Sequence, residues 1–338
     1  MKAVALTRYL PISDPQSLQD MILPDPVPRG RDLLVRVQAV SVNPVDTKVR
    51  SPSHKVELAP KVLGWDAAGV VEAVGEGVSL FRPGDAVYYA GDITRQGSNS
   101  ELHLVDERIV ALKPQSLDFA QAAAVPLTAI TAWEAFFDRM KIDPAGAHRG
   151  QSILQIGGAG GVGSIGIQIA KMAGLRVIAT ASRPETAAWC RELGADHVID
   201  HREPMRPQLE ALGLPFVDYI GCWNDIDRHW EAMADLIRPQ GTICSIVGNR
   251  GALAQDGVRA KSATHCWELM FTRARFQTPD MIEQHRLLAR VAAEIDAGRM
   301  RTTLREVLGP INAANLREAH ARLESGTTIG KLVLVGWH

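Results

Sequence analysis

The 338-residue sequence lacks long apolar runs, blocks of one charge sign, internal repeats and low-complexity tracts. No stretch reaches the ~20 consecutive apolar residues of a membrane-spanning helix, and the N-terminal segment turns polar too early for a secretory signal. Lys and Arg are scattered and the formal net charge is −1, which favours neither nucleic acid nor an anionic membrane as a partner. We therefore expect a cytoplasmic globular protein of about two domains whose partners are small molecules.

Cysteines are few and widely spaced. Cys190, Cys222, Cys244 and Cys266 include no two within four residues of each other, so the chain has no zinc site of the CxxC type. We interpret them as buried thiols in a reducing compartment. Cys266 follows His265. This neighbour is compatible with a reactive thiol, and the alternative is an ordinary helix or loop thiol beside a polar residue.

Two composition patterns divide the chain. In residues 1–122, short β-type runs are broken by turn-forming Pro and Gly, which predicts an irregular, mostly antiparallel β domain. In residues 123–264, strand and helix patterns alternate, which predicts right-handed βαβ crossovers and a doubly wound parallel sheet. In residues 265–338 the alternation stops, and two helices and a closing strand follow. We therefore predict an α/β protein in which this last segment completes the β domain.

A glycine-rich loop follows the first strand of the alternating region. Residues 156–163 read IGGAGGVG, with the spacing Gly158-x-Gly160-x-x-Gly163 after an apolar strand and at the start of a helix. This context is typical of a dinucleotide site, because the glycines permit a tight turn and a close approach of backbone to pyrophosphate. The helix N-terminus adds N–H groups and a positive dipole end. We assign cofactor binding to this loop, including Gly161 and Val162.

The end of the second strand discriminates between cofactors. An NAD site places an Asp or Glu about 20 residues after the glycine loop, where it binds the ribose 2′-hydroxyl. Here Ser182 and Arg183 occupy that place. A guanidinium pairs with a 2′-phosphate and a serine hydrogen-bonds to it, so the sequence predicts NADPH, with a solvated helix-start arginine as the alternative.

Several motifs together resemble the medium-chain dehydrogenase/reductase superfamily. They are SVNPVDTKVR (41–50), LGWDAAGVVEAVGEGVSLFRPGDAV (63–87), Pro126-Leu127-Thr128, the glycine loop and Gly330-Lys331. The resemblance spans most of the chain. It implies a Rossmann dinucleotide domain (123–264) and a GroES-like catalytic domain (1–122, completed by 265–338).

The zinc ligands of related alcohol dehydrogenases have no counterparts here. The resemblance places a Cys ligand in 41–50, where no Cys occurs, and a His ligand at Trp65, whose indole is donor-only. Residues 91–106 contain none of the Cys ligands of the structural zinc lobe. The resemblance therefore implies no metal and the quinone oxidoreductase branch, including its "zinc-type alcohol dehydrogenase-like" subgroup. Trp65 then packs a cleft wall or contacts substrate, and Asp66 holds a loop.

The resemblance also implies candidate catalytic residues. Asn43 either donates a hydrogen bond to a substrate oxygen or orders the turn before Pro44, whereas Asp46 is taken as structural. Tyr88 and Tyr89 are adjacent on a strand, so at most one of them faces the substrate. We name Asn43 and Tyr88 as catalytic candidates.

Two further residues are candidate cofactor contacts by the same resemblance. Thr128 matches a position near the nicotinamide, and Lys331 matches one that reaches a cofactor phosphate or, alternatively, is a sheet-edge lysine. The branch implies NADPH-dependent, metal-free hydride transfer to quinones or α,β-unsaturated carbonyls, and a homodimer paired through 240–247. The alternatives are a zinc-dependent alcohol dehydrogenase and a non-catalytic, NADPH-binding regulatory protein.

Overall fold

The computed structural model describes residues 1–337, and the chain forms two compact units. One unit contains residues 1–127 and the segment from 271 onwards, and the other contains 128–270. These boundaries lie five or six residues beyond those drawn from composition, since a short helix at 119–123 packs on the strands of the first unit and a strand at 264–267 extends the sheet of the second. No helix of the described chain is long and apolar enough to cross a membrane.

Strands are numbered along the described chain. They are β1 Lys2–Arg8, β2 Gln19–Ile22, β3 Asp32–Ser41, β4 Val56–Val62, β5 Ala67–Val74, β6 Ala86–Tyr89, β7 Leu102–Asp106, β8 Val110–Leu112, β9 Ser152–Ile156, β10 Arg176–Thr180, β11 His197–Ile199, β12 Val217–Cys222, β13 Ile237–Ser245, β14 Thr264–Trp267, β15 Leu304–Val307 and β16 Lys331–Val335.

Helices are numbered in the same way. They are α1 Pro44–Arg50, α2 Phe119–Ala123, α3 Pro126–Trp133, α4 Gly161–Met172, α5 Pro184–Glu192, α6 Met205–Glu210, α7 Ile226–Leu236, α8 Asp256–Ala260, α9 Thr272–Phe276, α10 Glu283–Asp296 and α11 Ala313–Glu324. A π-helical segment, Glu134–Arg139, continues α3, and a single 3₁₀ turn spans Glu107–Ile109.

The first unit contains the mostly antiparallel β domain that its composition predicted. Its larger sheet has the order β15-β16-β3-β5-β6-β8, with β7 also paired to β3, and a smaller sheet has the order β2-β1-β4. The β15–β16 pair is parallel, whereas the other strand pairs of these two sheets are antiparallel. Strand β16 lies between β15 and β3, so the end of the chain completes a sheet begun near its start.

The second unit is the predicted doubly wound parallel sheet. Its strand order is β11-β10-β9-β12-β13-β14, and all of these strands are parallel. The central strand β9 (SILQI) is buried along its whole length, because helices cover both faces of such a sheet. A cluster of side chains that includes Leu154, Ile178, Ile220 and Ile243 forms the core.

The structure corrects one detail of the sequence interpretation in this unit. Residues 240–247 were expected to pair two copies of the chain, yet β13 already has β12 on one side and β14 on the other. The strand at the sheet edge is β14, which lies where the alternation was expected to stop.

Candidate functional site

The glycine loop after β9 is tied to the end of β10. Gly157 has φ +87°, a left-handed conformation that glycine adopts without a steric penalty. Its N–H donates to Thr180 Oγ1 at 3.0 Å, and the N–H of Gly158 donates to the Thr180 carbonyl at 3.2 Å. The two bonds hold the loop close to the carboxyl ends of two neighbouring strands, which is where open α/β sheets bind ligands.

Two glycines of the motif are required by the packing of the chain itself. A Cβ at Gly158 would lie 2.8 Å from the Ala179 Cβ, and a Cβ at Gly163 would lie 2.3 Å from the Gly157 carbonyl oxygen. Both distances are far below a van der Waals contact. These residues therefore allow α4 to approach the strands closely.

Gly160 differs from these two glycines. A Cβ there would come no closer than 3.5 Å to the Gly157 carbonyl oxygen, and its φ of −73° suits any residue. The fold therefore does not require glycine at 160. Gly160 caps the twelve-residue helix α4, whose first turn begins with Gly161 and Val162 and presents N–H groups without intrahelical partners. The open space at Gly160, at a positive helix end, fits a pyrophosphate group.

Two arginines lie near the place where the ribose of a dinucleotide is recognised. The Arg183 guanidinium is half-exposed and its Nε lies 3.2 Å from Glu185 Oε1. Arg202, which the sequence interpretation missed, donates from Nη2 to the Ser182 carbonyl at 2.5 Å and to Asp200 Oδ2 at 2.8 Å. Arg202 follows β11, the parallel neighbour of β10. The sequence signal that could have identified Arg202 is its position directly after β11, because the carboxyl ends of neighbouring parallel strands lie at the same edge of a sheet.

In the first unit, Asn43, Asp66 and Lys331 form a buried polar cluster. They are 1%, 0% and 3% exposed. Lys331 Nζ lies 3.0 Å from Asp66 Oδ2 and donates to the Val42 carbonyl at 2.9 Å and to Asn43 Oδ1. Asn43 Nδ2 donates to Asp66 Oδ2 at 2.9 Å and to the Trp65 carbonyl at 3.1 Å. The amide of Asn43 and the ammonium of Lys331 thus bond to groups of the same unit, and β16 is not a sheet edge.

Asp66 links this cluster to the start of α3. Its Oδ1 accepts a hydrogen bond from the Leu127 N–H at 2.7 Å. Burial raises the pKa of Asp66, and the Lys331 charge and the hydrogen bonds from Asn43 and Leu127 oppose that rise. Thr128, a candidate cofactor contact, is the next residue and is buried in the first turn of α3. Asp66 therefore fixes the backbone N–H of Leu127 at the start of α3.

Trp65, Tyr88 and Tyr89 are fully buried within the first unit. Trp65 packs edge-on against Phe271, with ring centroids 6.1 Å apart, and its Nε1 donates to the Asp92 carbonyl at 3.4 Å. The Tyr88 hydroxyl donates to the Leu288 carbonyl at 2.6 Å, and burial raises the pKa of Tyr88. The Tyr89 hydroxyl lies 3.0 Å from His103 Nδ1. These hydroxyls hydrogen-bond to protein groups, and Trp65 is a packing residue.

The donor atoms around Asp66 do not fit a zinc ion. Catalytic zinc takes three protein ligands from His, Cys, Asp and Glu, whereas the neighbours of Asp66 are a lysine ammonium, an amide and a backbone N–H. Trp65, next in the chain, offers only an N–H donor. Throughout residues 1–337, no group of three or more His, Cys, Asp or Glu side chains is arranged to hold a metal ion.

Comparison with known families and proteins identifies relatives over nearly the whole chain. Residues 29–115 match the alcohol dehydrogenase GroES-like domain, and residues 193–334 match the zinc-binding dehydrogenase family. A zinc-type alcohol dehydrogenase-like protein of Staphylococcus aureus is 47% identical over 311 residues, which cover 91% of this chain and 92% of the relative.

Solved structures share the fold along the full length. A candidate zinc-dependent alcohol dehydrogenase from Rhizobium etli has a TM-score of 0.96 and 54% identity, covering 100% of this chain and 98% of that one. A quinone oxidoreductase from Pseudomonas syringae has a TM-score of 0.81 and 25% identity, with 99% of each chain covered. Escherichia coli quinone oxidoreductase, solved with NADPH, has a TM-score of 0.83 and 24% identity over 99% of this chain and 100% of that one.

Proposed function

Because the chain belongs to the medium-chain dehydrogenase/reductase superfamily, in its quinone oxidoreductase-like branch, we propose that it reduces a quinone or an α,β-unsaturated carbonyl with NADPH and without a metal. The observation that carries the proposal is Gly160, at the N-terminus of α4. The packing of the chain does not require glycine at this position, and its absent side chain leaves the surface open. A pyrophosphate fills such a surface and accepts hydrogen bonds from the first N–H groups of the helix.

Two arginines and the absence of an acid at the end of β10 support NADPH over NADH. Arg183 and Arg202 both extend from the segments next to Ser182, and a 2′-phosphate is bound best by guanidinium groups and hydroxyls. Glu185 pairs with Arg183 and competes with a phosphate for it. The E. coli quinone oxidoreductase, which has this fold, was solved with NADPH.

The mismatch between the Asp66 surroundings and a zinc ion supports a metal-free reaction. When bound, the nicotinamide supplies a hydride. A conjugated acceptor spreads the resulting charge into an enolate or hydroquinone anion, so the protein needs to supply positioning and modest hydrogen bonding. In this proposal Thr128 contacts the nicotinamide, while Asn43, Asp66 and Lys331 hold the backbone at α3. Tyr88 is not used as a proton donor, because its hydroxyl bonds to Leu288, and the final proton comes from water.

The test is a steady-state assay that follows the absorbance of reduced nicotinamide with a panel of quinones and enones. We expect turnover with NADPH, weaker turnover with NADH and no loss of activity after treatment with a zinc chelator. Replacing Arg183→Ala removes charge-assisted bonds to the 2′-phosphate and raises the KM for NADPH about tenfold or more, while the KM for NADH stays the same. Arg202→Ala acts in the same direction.

The control for these variants is Arg191→Ala, which removes an exposed arginine from the last turn of α5. Equal KM values for the two coenzymes in the wild type and in Arg183→Ala would contradict the NADPH assignment. Activity that chelation abolishes and zinc restores would favour the alcohol dehydrogenase alternative. Tight NADPH binding without reduction of any acceptor would favour a regulatory protein. The proposed enzyme is a homodimer, which light scattering of the purified protein tests.

A further inference from the structure

Two cysteines face each other across the last two strands of the parallel sheet. Cys244 on β13 and Cys266 on β14 are direct partners in the register of this strand pair. Directly opposite residues on neighbouring strands point to the same face of a sheet. The two thiols are hydrogen-bonding neighbours, and Cys266 Sγ also donates to the Ile243 carbonyl at 3.4 Å. The sulfur atoms therefore lie within reach of each other in the folded protein.

The other two cysteines do not share this arrangement. Cys222 on β12 is the register partner of Ser245, so its side chain points to the face opposite to Cys244. Burial raises the pKa values of Cys190 and Cys222 to about 12, which keeps both of them protonated and unreactive. Within residues 1–337, Cys266 is the cysteine that is not fully buried.

The surroundings of Cys266 lower the pKa of its thiol. The hydrogen bond from Cys244 lowers the pKa of Cys266, burial opposes this effect, and the Arg139 guanidinium lowers the pKa further. Arg139 lies at the end of the π-helical segment and is held by Glu268, whose Oε2 is 2.8 Å from Arg139 Nε. A partly exposed thiolate beside a positive charge is the form of cysteine that reacts with oxidants.

From this geometry we propose that Cys244 and Cys266 form a reversible intramolecular disulfide when the protein meets a peroxide. The Cys266 thiolate attacks one oxygen of hydrogen peroxide, which breaks the O–O bond and gives a sulfenic acid and hydroxide. The Cys244 sulfur then attacks the sulfenic sulfur and displaces its oxygen. The hydroxide groups take up the thiol protons, so two thiols and one peroxide yield one disulfide and two waters.

The position of the pair at the sheet edge favours a bond that is readily reduced again. Neighbouring strands lie about 4.8 Å apart, inside the range of Cα separations that a disulfide accepts. The two Cβ atoms must still move slightly closer, and within this chain β14 has a strand neighbour, β13, on one side. A strained disulfide at an accessible position is reduced easily by cellular thiols.

The experiment treats the purified wild-type protein with hydrogen peroxide, blocks remaining thiols and measures intact mass and non-reduced peptides. We expect a loss of two hydrogens, a peptide pair joined through residues 244 and 266, and full reversal by dithiothreitol. In Cys244→Ser the resolving thiol is absent, so Cys266 instead reacts with a sulfenic-acid reagent and gains oxygen. The matched control Cys190→Ser forms the same cross-link as the wild type.

Three results would overturn the proposal. They are an unreacted Cys266, a Cys266 that proceeds to sulfinic acid in the wild type without a cross-link, and a disulfide that joins a different pair. Cys244→Ala replaces Cys244→Ser if the serine variant does not fold, and the peptide map of the wild type decides the matter without any variant. The readout is chemical and independent of enzyme activity, so it stands apart from the proposed reductase function.

Discussion

Asp46 is a carboxyl group buried without a direct ion pair. Its Oδ2 accepts the Asn43 N–H at 2.6 Å, while Oδ1 has no hydrogen-bond partner. Burial raises the pKa of Asp46 to about 7, against the opposing effects of the Asn43 N–H and the Lys331 charge, and the nearby Asp66 adds to the rise. The protonated acid is therefore the form that the folded state prefers over much of the acidic range.

This pKa makes stability depend on pH. The unfolded chain ionises Asp46 near pH 4, whereas the folded chain keeps the proton until about pH 7. Stability from this group is therefore fully present below pH 4 and is lost as the pH rises to 7, by on the order of 4 kcal/mol. Asp46→Asn has no proton to lose, so its unfolding free energy lacks this decline.

Denaturant unfolding of wild type and Asp46→Asn across this pH range measures the difference. The exposed Asp256→Asn serves as the control, because Asp256 is 92% exposed. Unfolding curves of wild type and Asp46→Asn that keep a constant separation at every pH would contradict the assignment.

The sequence predicted candidate site residues but not their bonding partners. Asn43 was a candidate donor to substrate and Lys331 a candidate phosphate ligand, whereas both side chains bond to each other and to Asp66. These partners are 23 to 288 residues apart along the chain, and no local pattern reveals such pairings. Arg202 was missed for the same reason, since it reaches Ser182 from the end of the adjacent strand.

At the scale of elements, the glycine loop contains glycines that the fold requires and one, Gly160, that it does not require. Alanine substitutions are expected to affect stability in the first case and cofactor binding in the second. Gly160→Ala keeps the fold, because its Cβ meets no protein atom closer than 3.5 Å, but the methyl group occupies the surface proposed for pyrophosphate. We expect an unfolding free energy within about 1 kcal/mol of wild type and NADPH binding weakened tenfold or more. Gly163→Ala places a Cβ 2.3 Å from a carbonyl oxygen and destabilises the fold by about 1–3 kcal/mol.

Titration calorimetry with NADPH and denaturant unfolding measure the two effects. Gly251→Ala is a matched control in the same unit, because its Cβ would meet only Asp227 Oδ1 at 3.8 Å. Unweakened NADPH binding in Gly160→Ala would remove the main support for the cofactor site.

Secondary structure was predictable where periodicity is strong and a turn signal follows. The strands and helices from β9 to α5 follow the predicted alternation, since each has an apolar pattern that ends near Gly or Pro. Strand β14 was missed, because its four residues, THCW, are half exposed and carry no apolar run. The π-helical segment was also missed, since its backbone hydrogen bonds are set by packing and not by composition.

For the whole molecule, a bound cofactor shifts the unfolding equilibrium. A ligand that binds only the folded chain stabilises it by about 2.7 kcal/mol at a concentration of 100 times its Kd. We therefore expect a higher melting temperature with NADPH than with the same concentration of NADH, because Arg183 and Arg202 favour the 2′-phosphate. Differential scanning fluorimetry measures this shift. Equal shifts with both coenzymes, or a shift that persists in Gly160→Ala, would contradict the proposed site.

The placement of β16 also constrains how the chain folds during its synthesis. Residues 128–270 emerge from the ribosome as one continuous stretch and contain every strand of the parallel sheet. Residues 1–127 emerge earlier, yet their large sheet stays incomplete until β16 pairs with β3. We infer that residues 128–270 reach their native form first, while the sheet of residues 1–127 keeps an unpaired strand edge until β16 is translated.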